Sequence, residues 1–111
     1  MKANKINKPW GYEELIELND RYCLKKLYMK KNNRCSLQYH KKKIETIFVL
    51  EGVLNIEINK KNISLMPGES VTIKAGEIHR MSAFDTDALY LESSTPDLED
   101  VIRIEDDFGR S

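Results

Sequence analysis

The residues best equipped for chemistry are the chain's only two histidines, His40 and His79, together with Gln38 and Glu45. Gln38 and His40 stand two apart in Ser36-Leu37-Gln38-Tyr39-His40, and in an extended strand such residues share a face while Tyr39 points the other way. A short basic turn, Lys41-Lys42-Lys43, leads to Glu45, which opens what reads as the neighbouring strand, running to Gly52. His79 follows another strand-like run, in Lys74-Ala75-Gly76-Glu77-Ile78-His79-Arg80. A lone histidine on a strand is ordinarily just a strand residue. Two imidazoles, one carboxylate and one amide oxygen at this spacing make a ligand set for a single divalent ion, zinc foremost, with manganese, nickel or iron as other occupants. With only one ligand charge, such an ion stays electrophilic enough to polarise a carbonyl and acidify the adjacent C–H.

The elements that must position these groups are short strands. Tyr12 to Leu18 and Arg21 to Lys30 read as strands joined at Asn19-Asp20, and Lys31-Asn32-Asn33 punctuates the next connection. After Gly52, Leu54, Ile56 and Ile58 share one face, Asn59-Lys60-Lys61-Asn62 turns the chain, and Ile63 and Leu65 resume the pattern. Met66-Pro67-Gly68 interrupts it before Val71 and Ile73. Asp87 to Ser94 sets Leu89 and Leu91 against Ala88 and Tyr90, and Asp100 to Phe108 alternates as an ordered edge or arm. Met1 to Lys8 is polar and is expected to be loose until Trp10 anchors the chain. Many short strands with little helical periodicity predict an antiparallel sandwich or barrel, with Leu54, Ile56, Ile58, Leu65, Val71 and Ile73 lining its interior or the sheet interface.

Composition narrows the function. The 111 residues suffice for one domain, 1–111, and the 18 basic side chains equal the 18 acidic ones, so no net field recruits nucleic acid or an acidic membrane. No apolar run is long enough to span a bilayer, and the N-terminus lacks the apolar core of a secretory signal. Cys23 and Cys35 form no CxxC pattern and read as reduced thiols of a cytoplasmic protein. A domain of this size gains from association, so a homodimer is expected, through the strands around Tyr12 to Leu18.

Gln38-x-His40, Glu45, Gly52, Gly68, Gly76 and His79 resemble the two cupin motifs, with glutamine in place of the first histidine. The likeness is closer to the cupin domain of type II mannose-6-phosphate isomerases, which in larger proteins follows a sugar-1-phosphate nucleotidyltransferase domain. Lys8-Pro9-Trp10-Gly11, Ser36-Leu37-Gln38-Tyr39-His40, His79-Arg80 and the stretch from Val101 to Arg110 all resemble that branch, in its order. No glycine-rich nucleotide-binding stretch of the transferase is present in these residues. The resemblance implies an all-β cupin fold, a double-stranded β-helix or jelly-roll barrel. It also implies a metal-dependent aldose–ketose isomerase of sugar phosphates, serving nucleotide-sugar and polysaccharide synthesis.

Lys43 stands where the family commonly has an arginine that assists catalysis, and Lys43 and Arg80 are the candidates for catalysis and for gripping an anionic sugar, with Lys41 and Lys42 beside them. The general base stays open among Lys43, Lys26, Tyr39 and a metal-bound water. Three further positions depart from the family: Thr46-Ile47 replaces His-Trp, and Ala83 replaces an asparagine. Lysine lacks arginine's planar fork, so the difference at Lys43 is not neutral. Two other classes of function therefore stand beside the isomerase. One is a non-catalytic metal cupin that binds a sugar or nucleotide sugar; the other is a different metal-cupin enzyme, such as an iron oxygenase.

Overall fold

Strands that alternate apolar and polar side chains can bury their apolar faces only against another sheet. In a computed structural model that describes residues 2–110, the chain does this with twelve strands and no helix among those residues. They are β1 Asn4–Lys8, β2 Gly11–Leu18, β3 Cys23–Met29, β4 Asn33–Arg34, β5 Leu37–Tyr39, β6 Glu45–Glu51, β7 Leu54–Ile58, β8 Lys61–Leu65, β9 Ser70–Ile73, β10 His79–Ala83, β11 Ala88–Ser94 and β12 Ile102–Glu105. Met1 and Ser111, the limits of the expected domain, lie outside the described residues. One sheet runs β1-β2-β3-β11-β6-β9 and the other β12-β5-β10-β7-β8, with β4 pairing onto β10. Every one of these pairings is antiparallel. This is the jelly-roll barrel of a cupin. Among the described residues no helix is long and apolar enough to cross a membrane.

The core follows the alternation. Leu54, Ile56, Leu65 and Ile73 are buried in it, with Ile58 and Val71 packed against it, and Trp10 joins the same cluster. The β7–β8 hairpin needs only Asn59 and Lys60, at φ 47° and 70°, because a two-residue loop with both φ positive matches the strand twist. Lys61 and Asn62, read as part of the turn, already belong to β8. Gly52 sits at φ 76°, and a Cβ there would lie 1.9 Å from the Asp87 carbonyl oxygen, so only glycine lets β6 end so close to that backbone. As the alternation predicted, β12 forms an ordered sheet edge, against β5.

Two expectations are corrected. The N-terminal segment is not loose: Asn4–Lys8 pairs along its whole length with β2, with Lys5 over the Tyr12 ring at 4.2 Å. The two-residue connection Pro9-Trp10 and the burial of Trp10 return the chain on itself, and an edge strand tolerates a polar sequence because one side stays in water. As a result β1 is the edge strand of its sheet and β2 lies between β1 and β3.

Glu45, in turn, does not arrive on a strand neighbouring β5. β5 and β6 lie in different sheets, and the basic turn crosses between them. No hairpin ladder forms there because the backbone N–H groups of Lys41, Lys42 and Lys43 all donate to the Asp100 carboxylate, at 2.9, 2.7 and 2.9 Å.

Candidate metal centre

The crossing of the chain between sheets is what assembles the site. His40 leaves the end of β5, Glu45 opens β6 on the other sheet, and His79 opens β10 directly opposite Gln38. Glu45 Oε1 lies 3.1 Å from His40 Nε2 and 3.0 Å from His79 Nε2, and one ligand atom from each residue falls within 4.8 Å of the others. All three side chains are buried.

The outer nitrogens decide what the inner ones can do. His40 Nδ1 sits 2.5 Å from the Asp100 carbonyl oxygen and His79 Nδ1 sits 2.9 Å from the Glu77 carbonyl oxygen, and a carbonyl only accepts, so each Nδ1–H donates. A neutral imidazole then presents the lone pair of Nε2 to the lone pairs of Glu45. His79 Nε2 is left without a hydrogen-bond partner despite its burial and its proximity to Glu45. Three buried acceptors facing one point suit a cation there, and a backbone-fixed tautomer is the usual support of a metal-ligating histidine. The donor set of two nitrogens and a carboxylate fits a divalent transition ion.

Gln38 is beside this cluster, half-buried on β5, but its Oε1 accepts a hydrogen bond from Ser36 Oγ at 2.7 Å. Burial pushes the Glu45 carboxyl up, yet its contacts in this cluster, the charge of Lys43 among them, outweigh it and hold the group well below the usual carboxylate range. Lys43 is buried with Nζ 3.3 Å from Glu92 Oε2 and 3.6 Å from Glu45 Oε2. Burial opposes its charge, and the two carboxylates overcome that and raise its pKa. Glu92 goes the other way: burial first, then the charge of Glu45, pushes it up to about 8. It shares a hydrogen bond with Glu45.

Gln38, His40, Lys43 and Glu92 line a cavity of about 210 Å³ together with Trp10 and Lys25. Arg80 is not brought into it. It follows His79 on β10 and so faces the opposite way, where its guanidinium donates to the carbonyls of Cys35 (3.0 Å) and Glu105 (3.2 Å). Lys41 and Lys42 are exposed, and Lys26 pairs with Glu14 at 3.9 Å on the outer face of its strand. Cys23 and Cys35 are free and buried, and burial pushes the Cys35 thiol up to about 11, which makes it a poor nucleophile or ligand. Of the departures from the family pattern only Lys43 lies in the cavity: Ile47 and Ala83 are core residues, and Thr46 bonds Thr72 on the exposed face.

Sequence reading missed two residues. Glu92 had a signal, as the one acid on the face of β11 that also carries Ala88 and Tyr90; that face turned out to be the inner one. Asp100 had none, since it works by capping backbone N–H groups far away in sequence, which also hold its carboxyl down at about 2.

A barrel of two antiparallel sheets with a buried two-histidine, one-carboxylate cluster that could hold a metal ion is the architecture of a cupin. The chain belongs to the family described as mannose-6-phosphate isomerase C-terminal, whose profile matches residues 1–106. It is 29% identical over 110 residues to mannose-1-phosphate guanylyltransferase ManC of Salmonella typhimurium, a match covering 96% of this chain and 23% of ManC. It is 25% identical over 111 residues to the alginate biosynthesis protein AlgA of Pseudomonas aeruginosa, again covering 96% and 23%. The chain thus spans about a quarter of the length of these curated relatives. Among solved structures, an RmlC-like cupin from Shewanella frigidimarina superposes with a TM-score of 0.80 at 16% identity, covering 88% of this chain and 87% of that one.

Proposed function

We propose that the protein is a metal-dependent aldose–ketose isomerase of a small sugar phosphate, of the kind that interconverts mannose 6-phosphate and fructose 6-phosphate. It would work in the cytoplasm and feed nucleotide-sugar and polysaccharide synthesis. The observation that carries this reading is that the buried acceptors of His40, Glu45 and His79 converge beside the same cavity that holds the Lys43–Glu92 pair. A divalent ion there, zinc first, with manganese, nickel or iron as alternatives, would polarise the sugar carbonyl and stabilise the negative charge that develops on it. His40, Glu45 and His79 would hold that ion, and Gln38 would join them by turning its amide oxygen from Ser36.

The chain's own part is proton movement. Isomerisation takes a proton from C2 of the aldose and returns one to C1, while a hydroxyl proton passes to the former carbonyl oxygen, with no net oxidation. Glu92 lines the cavity beside the cluster with Lys43 Nζ 3.3 Å from its carboxylate, so it is the carboxyl placed to carry the proton, and Lys43, fixed against it, tunes its charge. A cavity of about 210 Å³ is below the ~300–1,000 Å³ of drug-sized sites and favours a hexose phosphate over a nucleotide sugar. The protein is further expected to be a homodimer through the N-terminal strands around Tyr12 to Leu18, where β1 forms the sheet edge.

A binding-only cupin is the rival, favoured by the lysine at position 43, which lacks the planar fork of arginine. Metal-loaded protein incubated with mannose 6-phosphate or fructose 6-phosphate should produce the other sugar, read by NMR, and chelation should stop it. Saturable binding with no turnover of these or of related pentose and heptose phosphates would leave the rival standing.

A further inference from the structure

The residues first expected to receive an anionic substrate are occupied elsewhere. Lys43 is paired with two carboxylates, and Arg80 holds two backbone carbonyls outside the cavity. The cavity nevertheless carries further cations. Lys8, at the end of β1, and Lys25, on β3, both line it, and both reach for a single atom, Glu13 Oε1, at 3.9 and 3.3 Å. Two ammonium groups sharing one carboxylate oxygen leave a positive charge over and repel each other. Their side chains are only 27% and 13% exposed, so water screens that repulsion poorly. An added anion between them would relieve it.

We infer that Lys8 and Lys25 form an anion subsite that takes the phosphate of a phosphate monoester whose other end lies at the histidine cluster. Lysine suits the role as a point charge that needs no planar partner. The inference rests on the sugar-phosphate reading of the cavity and assigns its anionic end to the N-terminal hairpin. It also accounts for β1: pairing with β2 is what carries Lys8 to the wall that holds Lys25.

Trp10, the only tryptophan, lines the same cavity and reports on it by fluorescence. With a chelator present, so that phosphate has no metal to bind, inorganic phosphate should change the Trp10 emission saturably in the wild-type protein. Lys8→Met and Lys25→Met should each weaken that binding by about ten-fold, and Lys25→Arg should restore most of it. Metal stoichiometry, measured separately, should stay unchanged in all three and so certifies the fold. If Lys25→Met does not fold, Lys8→Glu on the partly exposed edge strand serves in its place. Undiminished phosphate affinity in the variants, or no saturable binding to the wild type, would overturn the subsite. Turnover of fructose 6-phosphate with an unchanged KM in the variants would overturn it while leaving the isomerase reading intact. Phosphate binding lost in the variants, in a protein that turns over no sugar, would support the subsite and remove the isomerase instead.

Discussion

Replacing Glu92 by glutamine should change how the metal-free protein responds to pH, and the size of the change follows from its burial. A glutamate ordinarily releases its proton near the model value 4.5, whereas Glu92 is pushed up to about 8. Between those values the folded chain holds a proton that the unfolded chain has already lost. Stability conferred by that group is therefore present at the acid end and is lost as pH rises, at up to ~1.4 kcal/mol per pH unit. Glu45 is lowered and Lys43 is raised, so neither titrates in this window. Glu92→Gln keeps the shape and the acceptor for Lys43 but cannot ionise. Urea unfolding in a chelator at about pH 5.5 and about pH 7.5 should show the wild type losing more stability than the variant across the interval, on the order of 2–3 kcal/mol at most. Equal losses in the two proteins would refute the assignment of Glu92 as a buried acid of raised pKa, and with it the proton carrier proposed above.

Metal should stabilise the fold through the histidine cluster: at a free ion concentration about a hundred times Kd the gain is ~2.7 kcal/mol, a rise in Tm on the order of 10 °C for a domain of this size. His40→Ala and His79→Ala should lose both that rise and stoichiometric metal by elemental analysis; full occupancy in the double variant would contradict the site. Arg80→Met should cost ~1–3 kcal/mol of stability by leaving the buried Cys35 carbonyl without its donor. A loss of kcat/KM with no loss of stability would instead place Arg80 at the substrate.

The barrel was legible because period-two alternation survives in β7, β8 and β9, where Leu54, Ile56, Leu65 and Ile73 face inward without interruption. The triad was legible because the resemblance supplied spacing that strand geometry alone does not: His40 and Glu45 belong to different sheets, and nothing in Lys41-Lys42-Lys43 announces a crossing. That crossing depends on Asp100, a contact across 57 to 59 residues made to backbone atoms, which no side-chain pattern encodes. β1 was illegible because an edge strand needs no apolar stripe. Arg80 shows the limit of reading motifs as units, since neighbours on a strand face opposite ways and His79 alone enters the site.

The central claim is tested most directly by solvent exchange. Metal-loaded protein is held with mannose 6-phosphate or fructose 6-phosphate in deuterated water and followed by NMR. The account predicts deuterium at C2 of the aldose and at C1 of the ketose, abolished by chelation and by Glu92→Gln. Bound sugar phosphate with no exchange at either carbon, in protein shown to carry its metal, would contradict it.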